Sequence, residues 1–139
     1  MGGRGGSSGM PKGTALDQLR KAGVRIEDED IKGLNMVLVN KTLQGAIDTL
    51  KTFGLPITAI NGVGISLSNK ATTVASVNGF GDFGFSRKTY SQKINEFPKD
   101  DLVVDYSARG TGAHEAGHLI SDYIMKKTIA ICRFWKKQI

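Results

Sequence analysis

Cysteine is almost missing from this chain. Cys132 stands alone, so no internal disulfide forms and no cysteine-rich zinc knuckle is available; a reducing compartment suits such a sequence. Long apolar runs are missing too. No stretch approaches the ~20 apolar residues a helix needs to cross a bilayer. The start, MGGRGGSSGM, has no apolar segment after its single arginine, which as written excludes a secretory signal. The expected location is cytoplasmic or virion-associated, with no membrane partner. Histidine is equally scarce, with two in 139 residues, His114 and His118. Acidic residues number 13 against 19 Lys and Arg, but the excess is local. Residues 119–139 carry Lys126, Lys127, Arg133, Lys136 and Lys137 against Asp122 alone, which is +4 of the formal +6. A basic helix end can hold phosphate, yet a solvated one has the same composition, so nucleic acid is not the expected partner.

What is present fits one domain, since compact domains run to roughly 100–150 residues. Residues 1–13, rich in Gly and Ser, read as a flexible leader, and 14–139 as the domain itself. A short amphipathic helix is expected from Thr14 to about Ala22, with Leu16 and Leu19 inward and Gly23 closing it. Glu27 to Asp30 reads as a solvated acidic turn. Residues 34–39, LNMVLV, have the length and apolarity of a strand, with Asn40 as cap for a helix beyond. In that helix Leu43, Ile47, Leu50 and Phe53 form one stripe, stopped by Gly54 and Pro56.

After Pro56 the period changes to that of strands. Ile57–Ile60, Thr72–Val77 and Phe80–Phe85 are the expected strands, with Asn61-Gly62 and Asn78-Gly79 as turns and a bulge among Gly79, Gly81 and Gly84. Residues 90–97 suit a helical turn ended by Pro98, and 102–106 a last short strand. The expected class is therefore α+β: a small antiparallel or mixed sheet packed against helices, followed by a long C-terminal helix.

That last helix carries the chemistry. Residues 111–120 read Thr-Gly-Ala-His-Glu-Ala-Gly-His-Leu-Ile. His114 and His118, four apart, share one helix face about 6 Å apart along the axis, where two imidazoles can converge on one zinc. Glu115 is turned to the neighbouring face. There its carboxylate reaches a zinc-bound water rather than the zinc, and acts as general base. Thr111 is the expected N-cap, with Gly110 and Gly112 easing the turn into the helix. Both histidines of the chain fall in this one motif, which weighs against chance.

The ten residues match the extended signature of the zincin metallopeptidases, and the chain resembles that family, which usually places a small mixed sheet ahead of its active-site helix. The resemblance implies His114 and His118 as zinc ligands, Glu115 as the catalytic base, Zn2+ as cofactor and a peptide or protein as substrate. More loosely, the Gly/Ser-rich leader, LVNKTLQGAIDTLKTFGLP and GFSRKTYSQ resemble metallopeptidase-like domains attached to phage minor-head or head-morphogenesis proteins, implying phage structural proteins as partners.

One element of the family pattern is missing. A catalytic zinc takes a third protein ligand, which zincins usually draw from beyond the helix, and after His118 the only acid is Asp122. Asp122 lies about 12 Å along the helix from His114, a better position for a partner of His118 than for a ligand. Glu96, Asp100, Asp101, Asp105 and Asp82 are the upstream candidates. Three arrangements remain open: a chain truncated before its third ligand, a ligand set drawn from upstream acids or a partner, or a catalytically inactive zincin-like structural or interaction domain. Tyr106 and Arg109 are candidates to steady an oxyanion, though packing and solvation suit them better. Phe80–Phe85 is a candidate edge strand for a substrate peptide. Ile131, Phe134 and Trp135 are expected to continue the core stripe.

Overall fold

The computed structural model describes residues 13–66, 74–98 and 107–138. The leader's first twelve residues, the acids at 100, 101 and 105, Tyr106 and the strand expected at 102–106 lie outside that range.

Helix α1 (Ala15–Lys21) forms as its sequence predicts. The Thr14 hydroxyl accepts from the Asp17 N–H, Leu16 and Leu19 are buried, and Gly23 turns the chain at φ +86°. Strand β1 (Arg25–Ile26) follows, and the acidic run then folds into a single helical turn, α2 (Asp28–Ile31), whose Ile31 is buried. Arg20 forms an ion pair with Asp28 across this connection.

The first correction comes at LNMVLV, which is helical rather than extended. Asn35, not Asn40, is the cap: its side-chain oxygen accepts from the N–H groups of Val37 and Leu38, and α3 runs Met36–Thr52. Leu38, Val39, Leu43, Ala46, Ile47 and Leu50 all become buried, a single stripe at helical spacing. The apolar run was the first turn of the same stripe. A cap worth ~1 kcal/mol and the burial of Leu38 and Val39 outweigh the β preference of two valines. Phe53 lies outside the stripe at 62 % exposure, and Gly54 (φ +75°) ends the helix.

Ile57–Ala59 is a 3-10 turn, not a strand, and the pairing segment begins just after it, where turn chemistry was expected. Strands β2 (Gly62–Ile65), β3 (Ala75–Val77) and β4 (Asp82–Phe85) join β1 in a four-stranded mixed sheet of order β1-β2-β4-β3. β1, β2 and β4 are parallel; β3 runs antiparallel to β4 through the Asn78-Gly79 turn. The phenylalanine strand is therefore interior, and the edge belongs to β3. No bulge separates the registered pairs Ala75–Phe85, Ser76–Gly84 and Val77–Phe83. Phe80 sits in the turn at 82 % exposure.

Val63, Phe83 and Phe85 are buried in the core, with Phe85 against Tyr90 of the short helix α4 (Arg87–Tyr90). Phe83, Phe85, Tyr90 and Phe97 stack in succession with centroids 5.3, 4.6 and 5.4 Å apart. The buried Tyr90 hydroxyl is satisfied by Thr42 Oγ1 at 2.8 Å. Its pKa is pushed well above the ordinary phenol range, chiefly by burial.

Helix α5 (Ala108–Gln138), 31 residues long and about 46 Å at 1.5 Å per residue, crosses α3. Their contact is made by small residues. Ala108, Gly112 and Ala116 recur every fourth position, and Gly45 answers from α3. A Cβ on Gly112 would lie 1.7 Å from the Thr42 carbonyl oxygen, and one on Gly45 2.1 Å from that of Arg109. Gly112 thus serves close helix approach, not entry into the helix as its sequence position implied. The sheet, α3 and the first third of α5 form an α+β fold around one core.

Candidate metal centre

The start of α5 lies earlier than Thr111. The first free N–H groups are taken by Ser107, whose Oγ accepts from Gly110 N at 3.0 Å and whose carbonyl accepts from Thr111 N at 2.9 Å. Glu96, a candidate metal ligand by sequence, instead reaches this terminus: its Oε1 accepts from Ala108 N at 2.6 Å and from Phe97 N at 3.0 Å. Lys41 of α3 lies 3.6 Å from its other oxygen. Burial pushes the Glu96 carboxyl up, but these backbone donors and Lys41 prevail and leave it below the usual carboxylate value. No sequence signal marked this role, because the donor and acceptor lie twelve residues apart in the chain.

Two turns further on, His114 and His118 project from the exposed side of α5. Their rings are 5.0 Å apart, centroid to centroid, and nearly perpendicular at 86°. The His114 side chain is 65 % exposed, so no hydrocarbon wall blocks an ion. Glu115, between them in sequence, is buried against edge strand β3. Its Oε2 lies 3.9 Å from His114 Nε2. Burial raises its pKa above the ordinary 4.5, against the pull of His118, His114 and the Val77 N–H. One donor atom from each of His114, Glu115 and His118 falls within 4.8 Å of the others. Tetrahedral ligands at ~2.0–2.1 Å from zinc stand about 3.4 Å apart, a contraction that side-chain rotation can supply. The residues fit a metal ion, and the group is able to bind one.

No family model, curated protein or solved structure matches this chain. The geometry therefore stands on its own.

Among the described residues, the other sequence candidates are not at this centre. Asp122 is exposed, one turn beyond His118, and outside the convergent group. Asp82 sits at the start of β4, hydrogen-bonded to Arg25, Asn61 and Asn78. Arg109 is solvated and pairs with Asp48 of α3 at 3.5 Å. Cys132 is exposed.

Sequence reading missed the neighbour of Glu115. In the β3–β4 ladder, Val74 accepts from Ser86 N and Asn78 N donates to Asp82, so by antiparallel alternation the backbone groups of Ala75 and Val77 point off the edge. The Val77 N–H meets Glu115, while Lys126 Nζ donates to Gly79 O at 3.3 Å further along the same side. A cleft of about 500 Å³ beside Gly62, Gly64 and Gly84 opens on the other face of the sheet and includes neither histidine. The candidate metal centre is a surface site on a helix, beside edge strand β3.

Proposed function

We propose that this protein is a zinc-dependent peptidase. The carrying observation is the convergence of two exposed imidazoles and one buried carboxylate within a single helical turn. His114 and His118 hold the ion through ring nitrogens. A bound zinc supplies a Lewis acid that acidifies water and polarises a carbonyl. Glu115 receives the proton of the attacking water at a carboxylate oxygen and returns it to the leaving amine. Burial suits it to that exchange, because a carboxylate whose pKa is raised above the ordinary value is a stronger proton acceptor. Edge strand β3, not the strand at 80–85, is the segment against which an extended peptide aligns by strand addition, beyond the Val77 N–H that Glu115 takes. This mode predicts recognition of backbone more than of side chains.

Zinc content and peptide cleavage test the proposal together. Glu115→Gln is expected to keep stoichiometric zinc and lose cleavage by roughly 10²–10⁴-fold, the usual worth of a general acid–base group. His114→Ala and His118→Ala should each lose zinc. Cleavage that survives in Glu115→Gln would remove the carboxylate from the chemistry.

A second reading is favoured by a Glu115 oxygen lying within 4.8 Å of a ring nitrogen of each histidine. In it Glu115 is the third ligand, the site has no base, and the domain is a catalytically inactive zincin-like module of structural or interaction type, such as a phage head component. The same variant separates the two: loss of zinc in Glu115→Gln marks a ligand, and loss of cleavage alone marks a base.

A further inference from the structure

Beyond Ile120 the long helix leaves the domain, and every residue from Ser121 to Gln138 is exposed. This segment is far from uniformly polar. Tyr123, Ile124, Met125, Ile131, Phe134 and Trp135 are all exposed, Trp135 by 62 % and Phe134 by 59 %. At 100° per residue, Tyr123, Phe134, Ile131, Ile124, Trp135, Cys132 and Met125 fall in one arc of roughly 200°. Lys126, Arg133 and Lys137 fall within roughly 40° of one another on the opposite side. Lys127 lies inside the apolar arc, its Nζ 5.1 Å from the Tyr123 ring centroid; Ile129 lies outside it.

The direction of the arc is fixed by the fold. α5 meets the domain through Ala108, Gly112, Glu115, Ala116, Leu119 and Ile120, and Lys126 reaches back to Gly79. At 100° per residue the buried Ala116 and Ile120 fall within the first third of this arc, so the arc begins on the domain-facing side and continues round the flank of the helix, where from Ser121 onward all of it is exposed.

We propose that residues 121–138 lie on an anionic lipid surface through the exposed flank of this arc, with the domain beside the helix. Three features favour lipid over other occupants. The arc is too wide for the narrow seam of a two-helix coiled coil. In such a seam Ile120, Ile124, Ile131 and Phe134 take the core positions together with Lys127, which in a symmetric pair would face its own copy; at a lipid surface a lysine extends its ammonium to the headgroups instead. The cations and aromatic residues are those of an in-plane interfacial helix. Nucleic acid would use the charge but leave the apolar arc bare. No described helix is long and apolar enough to cross a membrane, so the contact lies along the surface. The sequence expectation of no membrane partner rested on spanning length alone. The proposal is independent of the metal centre.

Trp135 is the chain's single tryptophan and reports on the contact directly. The full chain is titrated with vesicles of phosphatidylcholine plus phosphatidylglycerol, and with phosphatidylcholine alone, reading sedimentation and Trp135 emission. Expected are co-sedimentation and a blue shift with the anionic vesicles only, both abolished by Ile131→Asp with Phe134→Asp. Lys127→Gln with Lys136→Gln should weaken partitioning by about 25-fold, near 5-fold per cation. All four positions are exposed, so circular dichroism should be unchanged. Failure to partition, equal binding to both vesicle types, or insensitivity to the aspartate pair would each overturn the proposal. So would a Trp135 shift that needs no lipid but follows a doubling of mass, which identifies a second copy. A shift seen only with an acidic peptide or with RNA would overturn it in favour of that partner.

Discussion

Substituting alanine at two glycines of the same helix should move stability in opposite directions. At Gly112 a new Cβ would sit 1.7 Å from the Thr42 oxygen, 2.7 Å from its carbonyl carbon and 3.0 Å from Ala46 N. All three are backbone atoms of α3, so no rotamer change relieves the clash. Restoring an ordinary contact of roughly 3.5 Å requires the helices to separate by more than 1 Å, which disturbs the burial of Ala108, Ala116 and Leu43 around the crossing. Overpacking of this kind costs about 1–3 kcal/mol, and the upper end applies where backbone meets backbone. The better helix propensity of alanine returns up to ~1 kcal/mol, leaving a net loss of about 2 kcal/mol. At Gly117 nothing lies within 4 Å of the added Cβ. There only the propensity remains, and Gly117→Ala should stabilise by up to ~1 kcal/mol. Urea unfolding of the metal-free protein, followed by circular dichroism, measures both. A neutral or stabilising Gly112→Ala, or a Gly117→Ala as damaging as Gly112→Ala, would refute the helix crossing described above.

Three further outcomes follow from the same contacts. Glu115 has a raised pKa, so its burial is tolerated fully below about the ordinary 4.5, and the associated stability is lost as pH rises through the folded value; metal-free Glu115→Gln should therefore be more stable than the parent at pH 8, with the difference vanishing near pH 4 in paired urea titrations. Glu96 has a lowered pKa and holds the first turn of α5, so its contribution is present above the usual carboxylate range and lost as pH falls through the depressed value. Glu96→Gln should cost about 1 kcal/mol at pH 7 and little at pH 3, and loss of the same size at both pH values would contradict a charge-dependent role. Asn35 caps α3 and also donates to the carbonyls of Gln92 and Ile94 at 2.8 and 2.6 Å. Asn35→Ala should destabilise by about 1–2 kcal/mol, whereas Asn40→Ala should cost less in the same melt, since Asn40 is a mid-helix residue that accepts from Leu16 N.

The convergence of His114, Glu115 and His118 was legible because it is local. Ligands four residues apart meet wherever the segment is helical, so the sequence of residues 111–120 alone placed His114, Glu115 and His118 together. The α+β class, α1 and the Asn78-Gly79 hairpin were legible for the same reason, since caps, turns and short periodicities act over a few residues. Readings failed where local and distant preferences competed. LNMVLV looks extended in isolation, but Asn35 and the stripe running on to Leu50 make it helical. Ile57–Ile60 has strand composition, yet the parallel partners of β2 are Arg25–Ile26 and Asp82–Phe85, and they select the residues after it.

Tertiary structure alone decided what surrounds the motif. It turned Glu115 inward against an edge strand while leaving both histidines in solvent, a division the helical period permits but does not dictate. It used Glu96 as a helix cap rather than a ligand, and it made Gly112 a contact point instead of a hinge. It also left Ile131, Phe134 and Trp135 on the surface. A helical stripe specifies that certain residues share a face; whether that face is covered depends on how far the neighbouring elements extend, and here α3 and the sheet reach no further than Ile120.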